Sequence, residues 1–205
     1  SAAQKNVIAQ IFSGPKTSNG TLIYASFPWD SGYGAGVSGN PGTGVAQWEF
    51  NASISGGRDA GALAFIFKSP PESSTGFDPL NFAFNSSIDA LYAGIFATSG
   101  LYTEASMSFM TPPNPTKLAG LRDRGAKIMV YHGVSDAIFS VNDTEAWYNG
   151  VERDSGKGFA RFYRVPGMGH CSGGPAADQF DMLTPLVNWV EKGQAPGAVT
   201  AKARG

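Results

Sequence analysis

Cysteine occurs once in this chain, at position 171, and histidine twice, at 132 and 170. One thiol cannot close an internal disulfide or build a multi-cysteine zinc site; taken alone, Cys171 reads as a small buried hydrophobe. A metal site would have to draw on His132, His170 and a carboxylate, and no HExxH-like spacing supports one. Charge is sparse as well: charged residues make up 15% of the chain, and 15 Lys+Arg nearly cancel 16 Asp+Glu to leave a net −1, where ~25% charged is usual. That balance argues against nucleic acid and against a membrane surface as partners. Long hydrophobic runs are also missing. No stretch approaches the roughly 20 apolar residues that span a bilayer, and the opening Ser1-Ala2-Ala3-Gln4-Lys5-Asn6 lacks the apolar core of a signal peptide.

What fills the 205 residues instead is 27 Gly and 13 Pro together with 42% hydrophobic and 12% aromatic side chains. A chain of that kind can bury a core, so a soluble globular protein of one domain, or one and a half, is expected. Gly, Ser, Thr and Asn replace charge at the surface, a composition that points to a secreted or periplasmic protein.

Residues 1–20 open with a helical pattern, Val7, Ile8, Ile11 and Phe12 falling on one face before Ser13-Gly14-Pro15 ends it. The next forty residues read as irregular: Gly32-Tyr33-Gly34-Ala35-Gly36 and Gly39-Asn40-Pro41-Gly42 are loop sequences, with Trp29, Tyr33, Trp48 and Phe50 set among them to pin loops to a core or to line a pocket. Residues 62–68 and the stretch from Phe77 to Tyr92 read as helix. Thr111-Pro112-Pro113-Asn114-Pro115 is a rigid connector. Beyond it the texture becomes regular: helix from Leu118 to Arg124, strand 127–132, helix from Asp143 to Val151, strand 159–165, and a long helix 176–192 with Phe180, Leu183, Leu186, Val187 and Val190 as its apolar face. Two apolar strands separated by one helix make a βαβ unit of a parallel sheet. No repeat period is present.

In open α/β sheets, reactive groups gather beyond the carboxyl ends of the strands. The first strand here runs into His132-Gly133-Val134-Ser135-Asp136 and the second into Pro166-Gly167-Met168-Gly169-His170-Cys171. Asp136 and His170 therefore fall on neighbouring loops, and an Asp that accepts the Nδ1–H of a His fixes its tautomer and leaves Nε2 to take a proton from a nucleophile. Asp136 alone could equally be a turn or helix-initiating residue, and His170 a hydrogen-bonded loop histidine; His132, closing an apolar strand, reads as a satisfied structural residue. The order Asp then His is that of the closing part of α/β-hydrolases. The expected nucleophile signature, Gly-x-Ser-x-Gly between a strand and a helix, does not occur; Gly36-Val37-Ser38-Gly39 comes nearest, within the irregular region.

The run from Gly120-Leu121-Arg122-Asp123-Arg124-Gly125 through the strand to His132-Gly133-Val134-Ser135-Asp136, and on to Gly167-Met168-Gly169-His170-Cys171-Ser172-Gly173-Gly174-Pro175, strongly resembles the tannase/feruloyl esterase family of α/β-hydrolases. The opening residues through Gly14-Pro15 are similar to part of that family's lid insertion. The resemblance implies Asp136 as triad acid, His170 as general base, and Cys171 as half of a disulfide to a cysteine beside the nucleophilic serine, hence an oxidising compartment. It further implies that the serine, its cysteine, the oxyanion donors and a lid calcium site lie upstream of residue 1, so that no cofactor is expected in this chain. The expected architecture is then a helical and loop-rich lid portion, 1–110, before the β-α-β-α closing part of an α/β-hydrolase sheet, 111–205. Its partners would be the N-terminal portion of the same enzyme and an aromatic (feruloyl- or galloyl-like) ester, and the uncovered strand edge would favour self-association. The other reading is a non-catalytic ligand-binding or interaction module that uses the aromatic loops.

Overall fold

The computed structural model describes residues 1–34, 44–46 and 58–204; Gly36-Val37-Ser38-Gly39, Gly39-Asn40-Pro41-Gly42, Trp48 and Phe50 lie outside the described residues. The chain forms two compact units, Ser1–Ala25 with Val45–Pro113, and Ser26–Gly44 with Asn114–Gly205. The boundary at Pro113 falls in the proline-rich connector. The segment that begins at Ser26, expected with the first unit, belongs to the second, because Ser26, Asp30 and Tyr33 bond to the loop between residues 135 and 142.

The first unit is built of short helices. Helix α1 (Ala2–Phe12) starts on a capping box in which the Gln4 amide donates to the Ser1 hydroxyl and the Ser1 amino group to the Gln4 side-chain oxygen, and it stops where Gly14 takes a left-handed φ of 80°. Helix α2 (Arg58–Ala62) runs into a π-helical turn, Leu63–Phe67, and buries Ala60 and Ala64. Asp78 caps α3 (Pro79–Asn85), with Pro79 at the first helical position, and Ser87 caps α4 (Ile88–Ile95). Helix α5 (Ser106–Met110) completes the unit. Asp89, in the first turn of α4, accepts both the amide (2.8 Å) and the hydroxyl (2.5 Å) of Ser18 and ties the N-terminal loop to that helix.

The second unit carries the regular order expected, with one correction. Helix α6 (Ala119–Asp123) leads into strand β1 (Ile128–Gly133), helix α7 (Val141–Ser155) and strand β2 (Ala160–Val165). The two strands are parallel and pair without offset from Ile128↔Ala160 to Gly133↔Val165. Val151, Phe159 and Ala160 form the buried core of this layer, packed by Leu118, Ile128, Trp147 and Tyr148. The expected helix 176–192 is shorter. Strand β3 (Gln179–Phe180) pairs antiparallel with strand β4 (Ala201–Lys202), and helix α8 (Leu183–Lys192) begins only after Asp181, whose Oδ1 accepts the amides of Leu183 (2.9 Å) and Thr184 (3.0 Å). Asp is a poor helix-interior residue and a good cap, so it divides what the apolar spacing suggests is continuous. The buried residue of α8 is Trp189, with Lys127 Nζ 5.5 Å and the Arg161 guanidinium carbon 5.0 Å from its ring centre, while Leu183 and Val190 are exposed.

Candidate active site

Because β1 and β2 run parallel and in register, the loops that follow them leave the sheet at one end. Gly133 lets these loops touch: a Cβ at that position would strike the carbonyl oxygens of Met168 and Gly169. The Ser135 amide donates to the Met168 carbonyl (2.9 Å) and the Val134 amide to the Val165 carbonyl (3.0 Å), so the loops are joined before any side chain contributes.

On this base Asp136 is buried, 3% exposed, and its carboxylate accepts four hydrogen bonds. Oδ1 takes the amides of Ile138 (2.9 Å) and Phe139 (3.0 Å), the local turn bond expected of an Asp at a loop corner. Oδ2 takes Nδ1 of His170 at 2.9 Å and Nε2 of His132 at 3.2 Å. Burial pushes the carboxyl up, but the bonds from His132, His170 and the two amides outweigh it and bring the pKa down to about 2. An ionised carboxylate can only accept, so Nδ1 of His170 carries the proton and Nε2 is the basic nitrogen of the ring. The His170 side chain is about one-third exposed, and the Phe139 ring, 56% exposed, lies 5.6 Å from it, tilted by 53°.

His132 is bonded at both nitrogens. Nδ1 meets the Thr144 hydroxyl at 2.8 Å and Nε2 the Phe139 carbonyl at 2.9 Å. A carbonyl cannot donate, so the Nε2–H points at Phe139 and is shared with Asp136, while the Thr144 hydroxyl completes the bonding at Nδ1. His132 is thus the satisfied residue its place at the strand end suggests, and also a second imidazole on the carboxylate.

Cys171 follows His170 directly, with an exposed thiol and a left-handed φ of 66°. Among the described residues it has no disulfide partner, no three His, Cys, Asp or Glu side chains are grouped to hold a metal ion, and no helix is long and apolar enough to cross a membrane.

Two residues near the site escape a reading by motif. Tyr33, in a single 3-10 turn (Ser31–Gly34) where an irregular loop is expected, is buried and donates to the Asp136 carbonyl (3.4 Å). Burial, with the Asp136 and Asp30 carboxylates nearby, pushes its phenol up. Asp30 bonds to the loops of both strands. The aromatic signal around residues 29–33 marks Tyr33 as a candidate anchor; nothing local marks Asp30, since its partners lie 105 and 137 residues away.

The site's arrangement, an ionised Asp orienting a partly exposed His at the rim of a parallel sheet, is one that can take up a proton at Nε2 and return it. Known proteins share the frame. Mono(2-hydroxyethyl) terephthalate hydrolase of Piscinibacter sakaiensis is 42% identical over 217 residues, covering 98% of this chain and 35% of that protein. Feruloyl esterase B of Aspergillus niger is 34% identical over 102 residues, 38% of this chain and 19% of the relative. Among solved structures, tannin acyl hydrolase from Aspergillus niger superposes with a TM-score of 0.58 at 20% identity, over 98% of this chain and 36% of that one. Feruloyl esterase B from Aspergillus oryzae gives 0.53 at 21% identity, over 96% and 38%. These last two show a common fold. The chain spans about a third of the length of the first relative. The tannase and feruloyl esterase family matches residues 1–204, and the chain belongs to that family.

Proposed function

We propose that this chain supplies the acid and the base of a serine-type carboxylic ester hydrolase that cleaves esters of aromatic acids. The observation that carries the reading is the 2.9 Å bond between His170 Nδ1 and the Asp136 carboxylate. A binding module would need no contact between these two residues, which gives the catalytic reading the advantage. In it, Nε2 of His170 takes the proton of a serine hydroxyl as its oxygen attacks the ester carbonyl. Asp136 stabilises the imidazolium, and Nε2 then gives the proton to the departing alcohol oxygen as the C–O bond breaks. Water attacks the acyl-serine with the same base, and the carboxylic acid leaves.

The serine, with no Gly-x-Ser-x-Gly in these 205 residues, is assigned to a segment outside them, as are the oxyanion donors. Cys171, exposed beside His170, is assigned to a cross-link with that segment in a secreted or periplasmic enzyme. The chain alone is then inactive, and the first unit forms part of a lid. Aromatic acyl groups are favoured by the Phe139 ring next to His170 and by the family's named members, a feruloyl esterase, a tannin acyl hydrolase and a terephthalate ester hydrolase. In the complete enzyme, His170→Ala is expected to lower turnover of a feruloyl or galloyl ester by at least ~1,000-fold. A rate within tenfold of the parent would overturn the assignment, as would ester turnover by the 205-residue chain alone.

A further inference from the structure

The carboxylate of Asp30 lies between the two loops that carry Asp136 and His170. Its Oδ1 accepts the hydroxyl of Ser135, the residue directly before Asp136, in a very short bond, together with the amide of Gly32 at 2.8 Å. Its Oδ2 accepts the amide of Gly167, on the loop leading to His170, at 3.4 Å. The surrounding segment follows the same course: the Ser26 carbonyl accepts the Ser140 hydroxyl (2.6 Å) and the Asn142 side-chain amide (2.9 Å), and Tyr33 donates to the Asp136 carbonyl. Gly32 lies flush against the site, since a Cβ there would come within 2.5 Å of the Gly167 carbonyl oxygen. Burial disfavours the Asp30 charge, but its three donors outweigh that and hold the carboxyl below the ordinary range, so it is ionised at neutral pH.

We propose that Asp30 is a positioning residue: its carboxylate spans the Asp136 and His170 loops and sets the separation across which these two residues meet. The proposal rests on the reading of Asp136 and His170 as acid and base. The geometry leaves little substitute for a carboxylate, because two backbone amides and one hydroxyl converge on its two oxygens. In Asp30→Asn, whichever way the amide faces, its NH2 confronts an N–H of either Gly32 or Gly167; the Ser135 hydroxyl can turn to accept, but those amides cannot. In the first orientation the Gly32 turn that holds the side chain between the loops is broken, and in the second the tether to the Gly167 loop is lost.

The test uses the two histidines of the 205-residue chain as separate reporters in long-range 1H–15N spectra of the imidazoles. The parent chain is expected to show His170 as the Nδ1–H tautomer with a low-field proton, and His132 as the Nε2–H tautomer. Asp30→Asn is expected to broaden or mix the His170 tautomers while the His132 pattern, held by Thr144 and the Phe139 carbonyl, persists as the sign of an intact fold. Should the His132 pattern also vanish, Ser135→Ala, which keeps the charge and removes one tether, must shift His170 in the same direction. In the complete enzyme Asp30→Asn is expected to reduce kcat by roughly 100-fold, the scale of a 1 Å misplacement, with KM within about twofold. If the parent His170 is not the Nδ1–H tautomer, the acid and base reading itself fails. If it is, and either Asp30→Asn leaves it unchanged in a folded chain or Ser135→Ala leaves it unchanged where Asp30→Asn unfolds, Asp30 does not position the pair.

Discussion

Replacing Asp136 with Asn removes one charge and one titration while keeping the shape of the side chain. In the native protein the Asp136 carboxyl is held at about 2, from an ordinary 3.8. At roughly 1.4 kcal/mol per pH unit this amounts to about 2 kcal/mol of stability, with little reduction for screening because the side chain is 4% exposed. The sign follows from the depression. Above about pH 4 both folded and unfolded chains carry the charge, and the contribution is fully present; as the pH falls from about 4 to about 2 the unfolded chain takes up its proton first, and the contribution is lost. Other depressed carboxyls, Asp30, Asp89, Asp154, Asp178 and Asp181 among them, weaken both proteins over the same range. The decisive quantity is therefore the difference between parent and Asp136→Asn, measured by urea unfolding at steps between pH 4.5 and 2. The parent's advantage is expected to shrink by about 2 kcal/mol as the pH falls. Two stability curves that descend in parallel would show that the four bonds to Asp136 do not hold its charge, and the account of the site's electrostatics would be wrong.

Phe159 is fully buried in the core between α7 and the strands, and Phe159→Ala is expected to cost about 3–5 kcal/mol through lost burial and the cavity left behind; urea unfolding that shows less than 1 kcal/mol would mean that this layer is not the core. Ser140 is likewise buried, accepting the Asn142 amide at the start of α7 and donating to the Ser26 carbonyl. Ser140→Ala is expected to cost about 1–2 kcal/mol and to speed hydrogen exchange in the first turn of α7, whereas unchanged exchange there would argue against the cap.

The parallel unit is legible in the sequence because its signals are local. The apolar runs of β1 and β2 are bounded by glycine, so the strand ends, and with them the placement of Asp136 and His170 on adjacent loops, can be found from spacing alone. Their hydrogen bond is the geometry which that spacing anticipates. Two features are not legible for a common reason. Asp181 marks locally where α8 begins, but the strand at Gln179–Phe180 depends on β4 returning to pair with it, and the role of Asp30 depends on Ser135 and Gly167; in both cases a partner remote in sequence decides, and periodicity cannot register it. His132 is legible as a satisfied residue by its place at a strand end, but its share of the Asp136 carboxylate belongs to the folded loop.

The zero-offset pairing of β1 with β2 has a bearing on how the site comes into being. Parallel strands cannot join through a hairpin, so α7 must form or collapse as a crossover before Gly133 meets Val165. A slip of one residue would displace one loop by ~3.3 Å, more than the 2.9 Å that separates His170 from Asp136, and would turn every side chain of the slipped strand to the opposite face. Acid and base therefore come together only where the two strands are paired in the native register. A probe of the His170 ring is in consequence also a clock for closure of the crossover.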